Sequence, residues 1–353
     1  MSSKGKSPPA AHALTTMRIF QLTLALLFLS TVTYMAKFTT IWTAPSFKFS
    51  VDEAHAENLA RLHEVLEMRG PNRFFVADFD AADTYLRTVN LAEGPVFVLL
   101  TSSEANGTYW CPDCEDARQP ITDAFARAPT NTRLLEVSVG SPQDWKDDFN
   151  PFRTRSLFHI RKIPSLLKYD GDLKTSQLLS ETFAMQPALL DFVFKSKPRV
   201  EMSHPASSYK TIRDGNEMLA FLEAYQGDYP LFLYFTSGIK RRTGKTFVSF
   251  SFISTSGRPW CPYCDIADVP LHFYFDKHAP KHAVLLTLVV ADSFSEWKDR
   301  DNPFRQQSVA PVHAVPTLSR VVRASPTDPV STRTYSLALK DIQALQSFFE
   351  SPH

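Results

Sequence analysis

Glycine supplies 11 of the 353 residues and cysteine four, whereas phenylalanine supplies 28. Few glycines and many phenylalanines imply well-filled cores with few flexible linkers, and no low-complexity tract appears outside the termini. An excess of either charge is missing too, since 38 Lys and Arg against 37 Asp and Glu leave a net charge of +1. No nucleic-acid partner and no bulk electrostatic role are expected from that balance. No Ser-His-Asp order, phosphate loop or paired-carboxylate motif stands out. The ten histidines are scattered without an i,i+4 pair beside acids. The sequence therefore calls for no cofactor and no metal.

What is present is concentrated. Trp110-Cys111-Pro112-Asp113-Cys114 and Trp260-Cys261-Pro262-Tyr263-Cys264 use every cysteine in the chain. Thiols at i and i+3 on the first turn of a helix lie close enough to close a small disulfide that can be exchanged with a partner's. Zinc is the chemical rival, because two Cys-x-x-Cys pairs can make a tetrahedral site. Against it, each pair is expected on its own rigid domain, so the two should not converge.

The surroundings of the pairs repeat. Cys111 to Pro120 and Cys261 to Pro270 have the same spacing, which places one proline inside each following helix, where it should kink it. Trp145-Lys146-Asp147 and Asn150-Pro151-Phe152-Arg153 recur as Trp297-Lys298-Asp299 and Asn302-Pro303-Phe304-Arg305. Pro164 and Pro316 then follow at matched distances, each ahead of residues of β character. The chain is an internal duplication. Its length suits two domains of roughly 100 to 150 residues each.

Ile19 to Ala36 is an uncharged run flanked by Arg18 and Lys37. As a helix it would span about 27 Å, which matches a thin bilayer. Lys4, Lys6 and Arg18 precede it without an acid, so the positive-inside rule puts residues 1–18 in the cytosol and the remainder across the membrane. A cleaved signal peptide is the alternative, opposed by the length of the run and by Tyr34, Met35 and Ala36 as a poor cleavage site. The expected organisation is a polar tail (1–18), a signal-anchor (19–36), a stalk (37–70) with a helix over Asp52 to Arg69, a first domain (71–197), a linker (198–205) and a second domain (206–353).

Within each domain the pattern reads β-α-β-α-β-β-α. The strands fall at Arg73 to Ala77, Pro95 to Thr101 and Arg133 to Val139, and again at Tyr209 to Ile212, Pro230 to Thr236 and Ala283 to Val290. Helices fall at Asp80 to Asn90 and Asp214 to Tyr225, and Pro187 to Lys195 and Leu339 to Glu350 close the halves. The fold class is α/β, a central mixed sheet flanked by helices, with each cysteine pair where a central strand ends and a helix begins.

This pattern resembles the thioredoxin superfamily and, within it, the thioredoxin domain-containing seventeen family, whose Trp-Cys-Pro-Asp-Cys site stands unaltered at Trp110 to Cys114. The resemblance covers roughly residues 71–197 and 206–353. It implies two tandem thioredoxin-like domains, protein or small disulfide substrates, and an upstream thioredoxin-reductase-like or thiol reductant. It also implies that Pro164 and Pro316 are cis prolines packed beside the cysteines, with ordinary trans strand-edge prolines as the alternative. Three departures stand out. Leu99 and Tyr234 occupy the place of thioredoxin's buried aspartate. Tyr263 replaces the family's aspartate. The stretch from Thr236 to Trp260 exceeds its counterpart and carries Lys240, Arg241, Arg242 and Lys245 before TFVSFSFIS, either a basic substrate-guiding loop with a hairpin or an artefact of gene translation.

Cys111 and Cys261, at a helix mouth with unpaired N–H groups, are expected to attack, and Cys114 and Cys264 to resolve. Pro112 and Pro262 suit the first helical turn. Asp113 should hold back ionisation of Cys111, so that Cys261, beside Tyr263, is the more acidic thiol. Trp110 and Trp260 are expected to form an apolar shelf beside each attacking sulfur, with core packing as the alternative. Trp145 and Trp297 fit core packing, surface packing or substrate contact equally. Asn106-Gly107-Thr108 is a glycosylation sequon. The expectation is thus a membrane-anchored disulfide oxidoreductase with its catalytic domains in the lumen of the secretory pathway, the alternatives being attachment facing the cytosol and a tethered client-binding scaffold with little turnover.

Overall fold

The computed structural model of the protein describes residues 51–195, 208–239, 258–335 and 341–351. The chain divides into two compact units, residues 1–57 and 58–353, and both halves of the duplication lie in the second.

Helix α1 (Val51–Val65) is followed by strand β1 (Glu67–Gly70), which pairs antiparallel with β2 (Arg73–Val76) across the turn Pro71-Asn72. The helix expected over Asp52 to Arg69 therefore stops early, because its last residues join a sheet. Asn72 takes a φ of 55°, a left-handed value that asparagine tolerates and a tight reversal needs. The strand is hard to read in sequence because its residues, EMRG, are mostly exposed and polar.

Helix α2 (Phe79–Thr88), capped by Asp78, leads to the fully buried β3 (Val96–Thr101). A short hairpin, β4 (Glu104–Ala105) and β5 (Thr108–Tyr109), turns on Asn106-Gly107, both with positive φ. Then come α3 (Pro112–Ala126), β6 (Arg133–Ser138), α4 (Pro142–Lys146), α5 (Pro151–Thr154), β7 (Ser165–Gly171), β8 (Lys174–Ser180) and α6 (Pro187–Phe194). The sheet order is β1-β2-β6-β3-β7-β8, with β2, β6 and β3 parallel and β7 and β8 antiparallel.

The second half repeats the plan without a β1 counterpart among the described residues. Its elements are β9 (Ser208–Ile212), α7 (Gly215–Ala224), β10 (Leu231–Thr236), α8 (Pro262–His278), β11 (Val284–Val289), α9 (Phe294–Lys298), α10 (Pro303–Gln306), β12 (Thr317–Val322), β13 (Ser331–Thr334) and α11 (Ile342–Glu350). Its sheet runs β13-β12-β10-β11-β9. Pro120 and Pro270 sit inside helices that continue past them.

Side chains alternate across each central strand. Val96, Val98 and Leu100 face one core with α2, while Phe97 and Leu99 face another with α3 and α6. Leu231, Leu233 and Phe235 likewise part from Phe232 and Tyr234. The Phe97/Leu99 core and the Phe232/Tyr234 core are continuous, so one hydrophobic interior joins the two halves. The join runs through α8, where Phe273 meets Phe192 of α6 with ring centroids 5.3 Å apart.

The membrane expectation is corrected. The run Ile19 to Ala36 lies outside the described residues, and among the described residues no helix is long and apolar enough to cross a membrane. A span needs about 20 apolar residues, and the described helices instead carry charge, as α8 does with Asp265, Asp268, Asp276 and Lys277. The transmembrane signal-anchor, the bilayer as a partner, and single-pass placement in either orientation are accordingly dropped. The tail (1–18), the linker (198–205) and the basic stretch Lys240 to Lys245 with TFVSFSFIS also lie outside the described residues.

Replacing Phe273 with Ala removes a buried ring from the join and should cost about 3 to 5 kcal/mol in urea unfolding. Asp123→Ala, at the matching position of α3, should cost less than about 0.5 kcal/mol.

Candidate functional site

Each cysteine pair is placed by the same local chain path. A buried central strand ends in Thr-Ser, and after the intervening hairpin or insert the chain returns so that the first cysteine caps a helix in extended conformation. Cys111 has φ −88° and ψ 117°, Cys261 φ −90° and ψ 115°, and Pro112 and Pro262 occupy the first turns of their helices. The sulfurs provide no side-chain cap, which leaves the helix-mouth N–H groups facing them.

The two sites share their anchoring bonds. The Cys111 N–H donates to the Ser102 hydroxyl at 3.2 Å, and the Cys261 N–H to the Ser237 hydroxyl at 3.2 Å. Trp110 Nε1 donates to the Gly140 carbonyl at 2.8 Å, and Trp260 Nε1 to the Ala291 carbonyl at 2.9 Å. Both indoles are half-buried, pinned by that bond beside the sulfur. Ile163–Pro164 and Val315–Pro316 are cis, as the family resemblance implied. The carbonyls just before these prolines accept from the first thiols, Cys111 Sγ to Ile163 at 3.8 Å and Cys261 Sγ to Val315 at 3.5 Å. Ser102 and Ser237 went unnoticed in the sequence, although Thr-Ser recurs at the end of both central strands.

None of the four cysteines is in a disulfide. Hydrogen bonding from the Cys114 thiol, opposed by burial and by the Asp113 charge, brings Cys111 down to about 7. Hydrogen bonding from the Cys264 thiol, opposed by burial and by Asp265, brings Cys261 down to about 7. The second sulfurs move the other way: Cys114 is pushed up by its bond to Cys111 and by burial, Cys264 chiefly by burial. The two first thiols are thus both brought down to about 7, with no order of acidity resolved between them. Tyr263 does remove the charge found at Asp113, but Asp265, one turn along, supplies another.

Leu99 and Tyr234 are both buried, Leu99 in the core on the opposite side of its strand from Cys114. The Tyr234 hydroxyl donates to the Cys264 carbonyl at 3.5 Å, and burial holds its proton on far above the ordinary phenol range. The Ser237 N–H donates to Cys264 Sγ at 3.4 Å. Asp113 and Tyr263 are exposed, Tyr263 at 62%. Trp297 is buried and Trp145 half-buried, so the former is core. Asn106 is exposed in the hairpin turn, with φ 54°. Among the described residues no group of three or more His, Cys, Asp or Glu is placed to hold a metal ion.

The second site has one neighbour that the first lacks. Arg258 donates to the buried Asp265 carboxylate at 2.7 Å and also reaches the Phe158 carbonyl and the Gln177 side chain of the first half. In the first site the matching acid, Glu115, instead accepts from the Tyr109 N–H at 2.9 Å and from Arg118 at 3.0 Å.

A cysteine pair at a helix mouth, facing a cis proline at the end of a mixed sheet and present twice, defines a protein of tandem thioredoxin-like domains. The chain belongs to the thioredoxin domain-containing protein 17-like family, whose thioredoxin domain matches residues 75–196 and 216–328. Mouse thioredoxin domain-containing protein 17 is 32% identical over 93 residues, 26% of this chain and 71% of the relative. The human protein of that name is 31% identical over 100 residues, 28% of this chain and 76% of the relative. The thioredoxin-like protein Clot of Arabidopsis thaliana is 29% identical over 77 residues, and the chain spans 58% of its length. Among solved structures, full-length ERdj5 aligns with 83% of this chain and 34% of its own at 10% identity and a TM-score of 0.29. The first two thioredoxin domains of Saccharomyces cerevisiae Eps1p align with 74% of this chain and 94% of their own at 12% identity and a TM-score of 0.25. Neither superposition is close enough to bear on domain arrangement or activity.

Alkylation of Cys111 and of Cys261 by iodoacetamide should rise with pH through a midpoint near 7 in both sites, since only the thiolate reacts. Cys114 and Cys264 should stay unmodified over the same range, as peptide mass mapping will show.

Proposed function

We propose that the chain is a protein-disulfide oxidoreductase that works by thiol-disulfide exchange at both sites. The observation that carries this reading is the paired asymmetry of the sulfurs. In each site one thiol sits at a helix mouth with its pKa near 7, and its partner, one turn deeper and almost fully buried, is pushed up.

The Cys111 or Cys261 thiolate attacks one sulfur of a substrate disulfide. An S–S bond forms between enzyme and substrate, the substrate's own S–S bond breaks, and its other sulfur leaves as a thiolate that takes up a proton. Cys114 or Cys264 then gives up its proton and attacks the enzyme sulfur of the mixed disulfide, releasing the second substrate thiol. The substrate gains two electrons and two protons, and the enzyme pair is left as a disulfide. An external dithiol or a thioredoxin-reductase-like protein returns the pair to the thiol form.

Ionisation of Cys114 or Cys264 is unfavourable until the first sulfur is tied up, because two adjacent buried thiolates repel each other. Formation of the mixed disulfide removes that charge, and the Ser237 N–H is placed to receive the second thiolate at Cys264. Trp110 and Trp260 flank the sulfurs, and Pro164 and Pro316 present backbone beside them for an extended substrate segment. The residues between the cysteines, Pro112-Asp113 and Pro262-Tyr263, face the substrate. Exposed Tyr263 offers an aromatic surface where Asp113 offers a charge, so the two sites favour different flanking residues.

Insulin reduction with dithiothreitol as electron source tests the reading. Cys111→Ser and Cys261→Ser should each leave the activity of the other pair, and the double variant should fall to the uncatalysed rate. A double variant as active as the parent would refute it.

A further inference from the structure

The duplication has placed one docking face in the chain twice, and only the first copy of it is covered by the second half. In the first half α8 lies on β8 and α6, and β7, paired with β8, completes that face. Phe273 packs against Phe192 with the rings tilted, Arg258 reaches Gln177, and Ile266 and Val269 pack into the same shared core.

Register fixes the equivalent face in the second half. Phe194 packs on Phe97 and Phe125 as Phe349 packs on the matching Phe232 and Phe275, so Phe192 corresponds to Ser347. Counting from the two cis prolines, Lys168 corresponds to Arg320, and through the cross-strand pairs Gln177 corresponds to Thr334. Those residues line a cavity of about 350 Å³ between β12, β13 and α11, together with Arg333, Tyr335 and Phe348. The face has thus been kept in shape and changed in chemistry.

Among the described residues its charge is uncompensated. Arg320 and Arg333 are direct cross-strand partners, and like charges in that position repel. Burial and Arg333 both make it harder for Arg320 to stay charged. Arg320 donates to the Ser351 carbonyl and lies over the Phe232 ring, but among the described residues no carboxylate pairs with either arginine. In the first half, Lys168 has Asp170 for that purpose at 4.0 Å.

The helix that would seat on such a face has also diverged. Positions Ile266, Val269 and Phe273 of α8 correspond to Asp116, Gln119 and Asp123 of α3, because Cys114 and Cys264 stand at matching points. With Asp113, these acids recur at i, i+3 and i+10, one stripe of a 3.6-residue helix. Asp113, Asp116 and Gln119 are exposed and Asp123 is half-buried, its carboxylate receiving only the Gln119 amide at 2.8 Å among described contacts.

We propose that the basic β12–β13–α11 face binds the acidic α3 of a second copy of this chain, head to tail, in the geometry by which the first half already holds α8. The occupant is set by shape and charge together, since α3 is the duplicate of the helix that fills the parent face and carries the sign that Arg320 and Arg333 lack. Such a contact is heterologous and propagates from copy to copy instead of closing into a two-fold dimer.

Sedimentation of the full chain against concentration tests this. At ~20 mM salt the protein should associate progressively, and at ~500 mM it should not, because salt screens exposed Arg333 from the acids of α3. Arg333→Glu alone and Asp123→Arg alone should each weaken self-association at least ~10-fold. Mixed together, the two variants should associate again, since each supplies the charge that the other's face or helix needs. Circular dichroism and urea midpoints of both variants exclude misfolding as the cause. A parent chain that stays monomeric at low salt, single variants that associate like the parent, or a mixture that fails to recover would each overturn the proposal. A monomeric parent would leave the face to an acidic partner other than this chain.

Discussion

Two sulfurs one helical turn apart, in a setting with little water, cannot both be charged, and each half of this protein is built around that constraint. The neighbouring thiol and the helix mouth stabilise charge on Cys111 and Cys261, while the bond to the first sulfur together with burial keeps the proton on Cys114, and chiefly burial keeps it on Cys264. Geometry follows from it. The first sulfur must be at the N-cap, so the helix must begin one residue later, and proline, which lacks the N–H that would be orphaned there, fits that position in both copies. The central strand must end close by, which places Ser102 and Ser237 under the cysteine N–H groups. Burial of the second sulfur in turn requires a filled core, which Val96, Val98 and Leu100 supply around Cys114 and Tyr234 helps to supply at Cys264.

Much of this was legible in the sequence because it depends on local rules. Cys-Pro-x-Cys at the end of a buried strand, repeated with its prolines and its Trp-Lys-Asp element, fixes strand, turn and helix without reference to distant residues. The central strands lie within a residue or two of their expected limits, as does the helix Gly215–Ala224, whereas the last helix begins at Ile342, with Leu339 outside the described residues. What escaped is what tertiary contact decides. β1 is a strand only because β2 is beside it and Arg69 finds both the Phe75 ring and Glu136. Asp265 acts on Cys261 through space, and Arg258 ties that site to the first half across the join, neither of which spacing reveals. The apolar run at Ile19 to Ala36 shows a different weakness, since hydropathy alone cannot tell a span from any other apolar segment of marginal length.

The two sites are alike in backbone and unlike in electrostatic support. In the first, Glu115 is held at the surface by the Tyr109 N–H and Arg118 and stays within its own half. In the second, Asp265 is buried, which raises its pKa, and Arg258 offsets that burial while donating to the first half at Phe158 and Gln177. The charge environment of Cys261 therefore includes the first half, whereas that of Cys111 is self-contained. The charge that opposes ionisation of the first thiol differs between the sites, Asp113 in one and Asp265 in the other.

How a duplicated chain becomes one body is visible in a single pair of helices. In α3 the inner positions Ala117, Ile121 and Ala124 are apolar and the outer ones polar, the pattern of a helix with one face in solvent. In α8 the matching inner positions are Ala267, Leu271 and Tyr274, but the outer ones have become Ile266, Val269 and Phe273. A helix apolar on both sides must be covered on both sides. The exposed flank of β8 and Phe192 on α6 supply the second cover, which also shields a sheet edge that would otherwise be open to pairing. Three substitutions on one helix face thus account for why the halves share a core and do not behave as beads on a string. The same three positions explain why the outer face of the first site's helix stays polar and, among the described residues, uncovered.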